Sequence, residues 1–225
     1  AVLACVRRVL GQATTQDEII ALTSVLEQRM NTGGGWQDQV GGAFPGVKLI
    51  TTEPGLEQRI RTTWAAFGSE HDPQWQGRML LYYTGYKRMA RDILRNVVGR
   101  YLARDRETLA VIREIKDSAF QMKHDLDSRN LSGFVSGLNR YWTLKKRIDP
   151  GSTNRFIEAI LGGIHPWLDA ALLPGAGGGG FIFMVARDES CAEHIREHLL
   201  HHPPNPSARF FDFQIDPFGL RTTVL

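Results

Sequence analysis

The chain has 225 residues, 42% of them hydrophobic, and carries 27 Lys and Arg against 24 Asp and Glu for a formal net charge of +3. That length holds one large domain or two small ones, and the composition is that of a soluble globular protein. The charge excess is too small to point to nucleic acid as a partner, no Lys/Arg block alternates with aromatics, and the two cysteines, Cys5 and Cys191, make no disulfide framework and fit a reducing cytoplasm.

Ala1–Leu10 is apolar but broken by Arg7 and Arg8; lacking a charged leader and a cleavage site, it reads as a helix already under way and not as a signal peptide or membrane anchor. A short polar turn with Thr15 as cap opens a second helix over Gln16–Met30, where Ile19, Leu22, Val25, Leu26 and Met30 recur at helical spacing. The helix leads into a glycine-rich loop around Asp38. Val47–Thr52 and Leu56–Thr63 are β-type runs separated by Glu53-Pro54-Gly55, the pattern of a hairpin. After a polar loop over Gly68–Gly77, the run Met79-Leu-Leu-Tyr-Tyr83 within Arg78–Thr84 predicts a strand buried on both faces.

The period then changes to three or four residues. Met89, Ile93, Val97 and Tyr101, then Ile112, Ile115, Ala119 and Met122, then Leu131, Phe134, Leu138 and Tyr141 predict three successive amphipathic helices. A fourth starts near Asn154, capped by Ser152-Thr-Asn154, and ends near Pro166. Phe181–Ala186 reads as a strand, Ser190–His201 as a helix, and Phe210–Ile215 and Leu220–Val224 as closing strands. Strands flanking a helical block make an α+β protein.

One stretch asks for chemistry rather than packing. In Thr32-Gly-Gly-Gly-Trp-Gln-Asp-Gln39, followed by Val40-Gly-Gly42, a lone carboxylate stands behind three glycines and between two amides. Gly33, Gly34 and Gly35 let the backbone approach a ligand closely, Gln37 and Gln39 suit hydroxylated small molecules, and Asp38 is placed as a general base. Trp36 either faces a sugar ring or plugs the loop.

This word resembles the catalytic segment of the L-fucokinases, within the GHMP sugar kinase superfamily (galactokinase, homoserine, mevalonate and phosphomevalonate kinases). Three more stretches carry the resemblance in order: Tyr83-Thr-Gly-Tyr-Lys-Arg-Met-Ala90, Asp149-Pro150 with Ser152-Thr-Asn154, and Gly175-Ala-Gly-Gly-Gly-Gly180. The resemblance implies a GHMP fold, with residues 1–70 forming the end of its N-terminal domain and 71–225 a C-terminal domain of helices on an antiparallel sheet. It implies ATP and Mg2+ as cofactors, with Asp38 acting on the acceptor hydroxyl. The family's metal-binding Glu lies eleven positions earlier, which is Glu27 here; on the helix pattern alone Glu27 is a solvated charge. By the same resemblance Gly34, Gly35, Trp36, Gln37 and Gln39 contact substrate, and Gly175, Gly177, Gly178 and Gly179 shape the phosphate and acceptor pocket. Arg88 reaches a phosphate or a sugar hydroxyl, or is a plain surface Arg.

Gly175–Gly180 also satisfies the letter of a dinucleotide-binding Gly-x-Gly-x-x-Gly, but such a loop follows a strand and opens a helix. Here the glycines are expected to follow a helix and open a strand. Relatives often place a Lys just before this motif, where this chain has Leu172, Leu173 and Pro174. His194, His198, His201 and His202 share a helix without a completing ligand pattern and are given no chemistry, while Trp64, Trp75, Trp142 and Trp167 are expected in packing.

The reaction implied is transfer of the ATP γ-phosphate to the anomeric hydroxyl of L-fucose, for salvage toward GDP-fucose, with a heptose phosphate as the other acceptor to consider. The family's Gly-Leu-Gly-Ser-Ser phosphate loop does not occur in these residues. The expectation is therefore of a C-terminal portion of a longer cytoplasmic kinase, inactive by itself, whose missing N-terminal segment is in some fucokinases preceded by a pyrophosphorylase region. The competing expectation is a non-catalytic GHMP-like module that binds sugar or nucleotide.

Overall fold

The computed structural model describes residues 1–30, 35–55, 59–67, 75, 77–87 and 91–223. The chain forms two compact units, one of Ala1–Ala65 with Ile215–Leu225 and one of Ala66–Gln214.

In the first unit, α1 (Val2–Val9) and α2 (Gln16–Arg29) precede a short α3 (Gln37–Ala43) and a hairpin of β1 (Lys48–Thr52) and β2 (Ile60–Trp64). Thr15 and Glu18 form a reciprocal capping box at the start of α2, with Glu18 N donating to Thr15 Oγ1 at 3.2 Å and Thr15 N to Glu18 Oε2 at 3.0 Å. The apolar stripe read along α2 is only partly used. Ile19 and Ile20 are buried, whereas Leu22, Val25, Leu26 and Met30 are exposed, because the described core of this unit is no more than Ile20, Val40 and Ala43 with Trp36, Phe44, Ile50 and Ile60 around them.

The expected loop at Asp38 is in fact α3. Gly41 and Gly42 disfavour a helix by about 1 kcal/mol each, which is why the sequence reads as loop. Val40 and Ala43, three apart on one face, are buried and outweigh that penalty. The expected strand Leu220–Val224 is also corrected: Leu220–Thr223 is irregular and serves as a strap. Leu220 N donates to Ala43 O at 2.9 Å and Gly46 N to Asp216 O at 2.9 Å, so the tail's hydrogen bonds go to the end of α3 instead of to a sheet. β1 and β2 pair antiparallel from Lys48↔Trp64 to Thr52↔Ile60, the expected hairpin; residues 56–58 of the second run lie outside the described residues.

In the second unit the sheet order is β4-β5-β3-β6, every pair antiparallel, with β3 Met79–Tyr83, β4 Leu168–Leu172, β5 Phe181–Ala186 and β6 Arg209–Phe211. The helices are α4 (Arg91–Leu102), α5 (Arg106–Asp127), α6 (Leu131–Ile148), α7 (Arg155–Ile164) and α8 (Glu189–His201). Leu80, Tyr82, Ile182 and Met184 of the sheet share one core with Leu138 and Trp142 of α6, Ile157, Ile160 and Ile164 of α7, and Ile195 and Leu199 of α8. Met79, Leu81 and Tyr83 are only half-buried, so β3 is covered fully on one face and not on both as its sequence implied. The α+β class holds. β4 was not expected, since Leu-Asp-Ala-Ala-Leu lacks the β-branched and aromatic residues that mark a strand, and β6 is shorter than the Phe210–Ile215 run.

Candidate functional site

Asp38 and Gln37 are exposed in the first turn of α3, and Trp36 stands at its N-cap position. The local cause is the same burial that forms the helix: with Val40 and Ala43 turned inward, Asp38 is carried to the solvent side. A carboxylate there also sits favourably at the positive end of the helix. Gln39 is half-buried, and its Oε1 is buried without a partner among the described residues. Gly35 lies so close to Gln37 that a Cβ on it would fall 2.5 Å from Gln37 Oε1.

Trp36 packs against the Ile20–Val40–Ala43 cluster and lines a recess of about 540 Å³ with Ile20, Phe44, Ile60, Thr62 and Trp64. Trp64 is not the core residue expected. It is 49% exposed, edge-on to Phe44 at 6.2 Å, with its indole N–H donating to Pro45 O at 3.0 Å. Glu27 is half-buried in the last turn of α2, a helix that packs against α3. Among the described residues no three His, Cys, Asp or Glu come together as a metal cage. A single carboxylate fits Mg2+ all the same, because that ion is usually held by one or two carboxylates together with substrate phosphates. Gly34 and Arg88 lie outside the described residues.

In the second unit the three remaining landmarks converge. Residues 173–180 connect β4 to β5, so the glycines follow a strand, not a helix as expected; they still open a strand and not a helix, and the dinucleotide reading fails on that ground. Gly175, Gly177, Gly178 and Gly180 all have positive φ, between +68° and +86°. Gly177 has no room for a side chain, since a Cβ there would lie 2.5 Å from Ser152 O.

From the β3 side, Thr84 is fully buried, and both its N–H (2.8 Å) and its Oγ1 (2.9 Å) donate to Gly180 O, while Gly180 N donates to Tyr86 O at 2.8 Å. From the other side, Gly178 N donates to Ser152 O at 2.6 Å and Asn154 Nδ2 to Gly178 O at 2.8 Å. The turn, together with Tyr83, Tyr86, Lys87 and Phe181, lines a recess of about 530 Å³. Tyr86 stacks on Phe156 at 4.9 Å, and Arg155 lies over the same Phe156 ring at 4.7 Å.

The positive charge absent before the glycine run is supplied from elsewhere. Lys145 of α6 is buried and donates to Leu173 O and Gly175 O, at 2.5 and 2.6 Å, with its ammonium 5.8 Å from the Tyr141 and Trp142 ring centroids. Burial pulls its pKa down from 10.5 to about 8. Sequence reasoning missed this residue. Its signal was a Lys in register with Leu138 and Trp142 on the buried stripe of α6, where an apolar residue belongs. Asp149, beyond the end of α6, accepts from Gly151 N at 3.2 Å through Oδ1, while its Oδ2 is buried without a partner among the described residues.

Elsewhere in this unit Trp75 and Trp142 are buried, and His194 and His198 pack on Trp167. Among the described residues no helix is long and apolar enough to cross a membrane.

No family model matches the chain. It is 36% identical over 222 residues, 99% of its length, to an L-fucokinase/L-fucose-1-P guanylyltransferase of Bacteroides fragilis, and 32% identical over 188 residues to a bifunctional fucokinase/GDP-fucose pyrophosphorylase of Arabidopsis thaliana, in this case 84% of its length. It spans 23% and 18% of those two relatives. Among solved structures it resembles a D-glycero-D-manno-heptose 1-phosphate kinase of Bacteroides thetaiotaomicron, with a TM-score of 0.68 at 20% identity, covering 95% of this chain and 56% of that one. The fold it shares with such neighbours is that of the GHMP kinases.

Proposed function

The chain belongs to the fucokinase-like GHMP sugar kinases, and from that premise we propose that it serves phosphoryl transfer from ATP to the anomeric hydroxyl of L-fucose, in the cytoplasm and toward GDP-fucose. The observation that carries this is the exposed carboxylate of Asp38 in the first turn of α3, within a chain 36% identical to a fucokinase along 99% of its length. Asp38 accepts or orients the proton of the attacking hydroxyl through a carboxylate oxygen, and Gln37 beside it offers amide contacts to the sugar's other hydroxyls. Phosphoryl transfer asks a protein mostly for positioning and charge neutralisation. Glu27, together with substrate phosphates, would hold Mg2+, which would supply charge neutralisation when bound. By the family resemblance Gly175, Gly177, Gly178 and Gly179 are assigned to the phosphate and acceptor pocket and Arg88 to a phosphate or a sugar hydroxyl.

The first unit is assigned as the end of the kinase's N-terminal domain and the second as its C-terminal domain. Because the Gly-Leu-Gly-Ser-Ser word does not occur in these 225 residues, the reading includes no phosphate transfer by them alone. In the full-length protein that segment, and in some architectures a pyrophosphorylase region, completes the enzyme.

The structural likeness to a heptose kinase supports a second acceptor, a heptose phosphate. Incubating the full-length protein with ATP and L-fucose, D-galactose, D-arabinose or a heptose phosphate, and locating the new phosphate by NMR, separates the readings. L-fucose 1-phosphate is the expected product. Phosphorylation of another sugar corrects the substrate, and binding without product favours a non-catalytic module.

A further inference from the structure

The landmark Asp149-Pro-Gly-Ser-Thr-Asn154 has no part in the chemistry above, yet it and the helix leading into it grip the glycine-rich turn. A segment with five glycines in 173–180 has many accessible conformations, so something must select one. Four carbonyls of the turn are held by side chains: those of Leu173 and Gly175 by Lys145 Nζ, that of Gly178 by Asn154 Nδ2, and that of Gly180 by Thr84 Oγ1. Ser152 O in turn takes the N–H of Gly178. With those groups engaged, the N–H groups of Ala176, Gly177 and Gly179 have no acceptor among the described residues, and all three residues line the recess of about 530 Å³. Ala176 and Gly177 are consecutive, and consecutive free backbone N–H groups favour an oxyanion.

We infer that Lys145, Ser152 and Asn154 form a clasp that fixes the glycine-rich turn in its ligand-ready conformation, and that Lys145 and Asn154 are positioning residues for phosphoryl transfer. Packing alone does not call for Lys145, because a Met or Leu would fill the same stripe of α6 without desolvating an ammonium. What the lysine adds is the pair of donated bonds. With a pKa of about 8 it remains mostly charged at neutral pH, so those bonds are charge-assisted.

The inference rests on the reading of the turn as part of the phosphate and acceptor pocket. It is tested in the full-length protein with Lys145→Met, Lys145→Arg and Asn154→Asp. The last keeps the acceptor that caps α7 at Phe156 N and Ile157 N but loses the donor to Gly178 O. Amide hydrogen exchange at Gly178 is expected to quicken about tenfold in Lys145→Met and Asn154→Asp, the size set by losing a hydrogen bond of ordinary to charged strength, while α8 amides keep their protection. KM for sugar or ATP is expected to rise by about tenfold with kcat changed less than about threefold, and Lys145→Arg to stay near wild type. A merely structural role would lower kcat through loss of folded enzyme and leave KM alone. That result, or unchanged exchange at Gly178, overturns the clasp. If Lys145→Met does not fold, Asn154→Asp decides. If even the wild-type protein phosphorylates no sugar, the kinase reading has failed, and the exchange at Gly178 alone decides between clasp and none.

Discussion

Asn154 serves two elements at once: its Oδ1 accepts from Phe156 N and Ile157 N at 3.0 and 3.1 Å at the start of α7, while its Nδ2 donates to Gly178 O at 2.8 Å. The two jobs separate by substitution. Asn154→Ala removes both and is expected to lower unfolding free energy by ~2 kcal/mol, whereas Asn154→Asp, which keeps the cap, is expected to lose ~1 kcal/mol. Urea titration of the two variants measures the difference; equal losses would mean that the cap contributes nothing, and no loss in Asn154→Asp that the tether contributes nothing.

Gly177 and Gly175 have similar backbone angles but different surroundings. Both have positive φ, +86° and +68°, but a Cβ on Gly177 meets Ser152 O at 2.5 Å while one on Gly175 meets nothing within 4 Å. Gly175→Ala is therefore expected to incur only left-handed strain, about 1 kcal/mol. Gly177→Ala adds a backbone clash and is expected to lose at least about 3 kcal/mol, or to displace the Ser152 segment. Unfolding curves for both variants would contradict this if the order were reversed.

Stability should depend on pH through Lys145. In the native protein burial holds its ammonium to about 8 against an ordinary 10.5. Below pH 8 both native and unfolded states keep the proton and the penalty is constant. Between about pH 8 and 10.5 the native state releases it while the unfolded state retains it, so stability rises with pH, by of order 3 kcal/mol across the window. Subtracting the profile of Lys145→Met from that of wild type isolates the effect. A difference that falls or stays flat from pH 8 to 10 would rule it out.

Much of this could be read from the residues. The cap at Thr15, the β1–β2 hairpin, β3, β5 and the helices α5 to α8 follow from local pattern, because each has its own cap, period or turn. What escaped was decided by tertiary context. α3 forms against its glycines because Val40 and Ala43 find a core, β4 forms from an alanine-rich run because β5 offers it a ladder, and Leu220–Thr223 becomes a strap because Ala43 O needs a donor. The glycine-rich turn was legible as a site, but Lys145, 30 residues before Gly175, was not. No local rule links a helix stripe to a turn that distant.

Thr15→Ala removes one half of the capping box and is expected to destabilise the first unit by ~1 kcal/mol. Far-ultraviolet circular dichroism during thermal unfolding reads this directly, and an unchanged midpoint would show that α2 is held by packing alone.

The role of Asp38 is the centre of the account. Its most direct test is the rate of L-fucose phosphorylation by the full-length protein and its Asp38→Asn variant, whose amide keeps the size and exposure of the side chain but cannot take a proton. A fall in kcat of about a hundredfold or more, with the unfolding midpoint unchanged, is the predicted result. Equal turnover in the two proteins would contradict it and leave Asp38 a surface residue of α3.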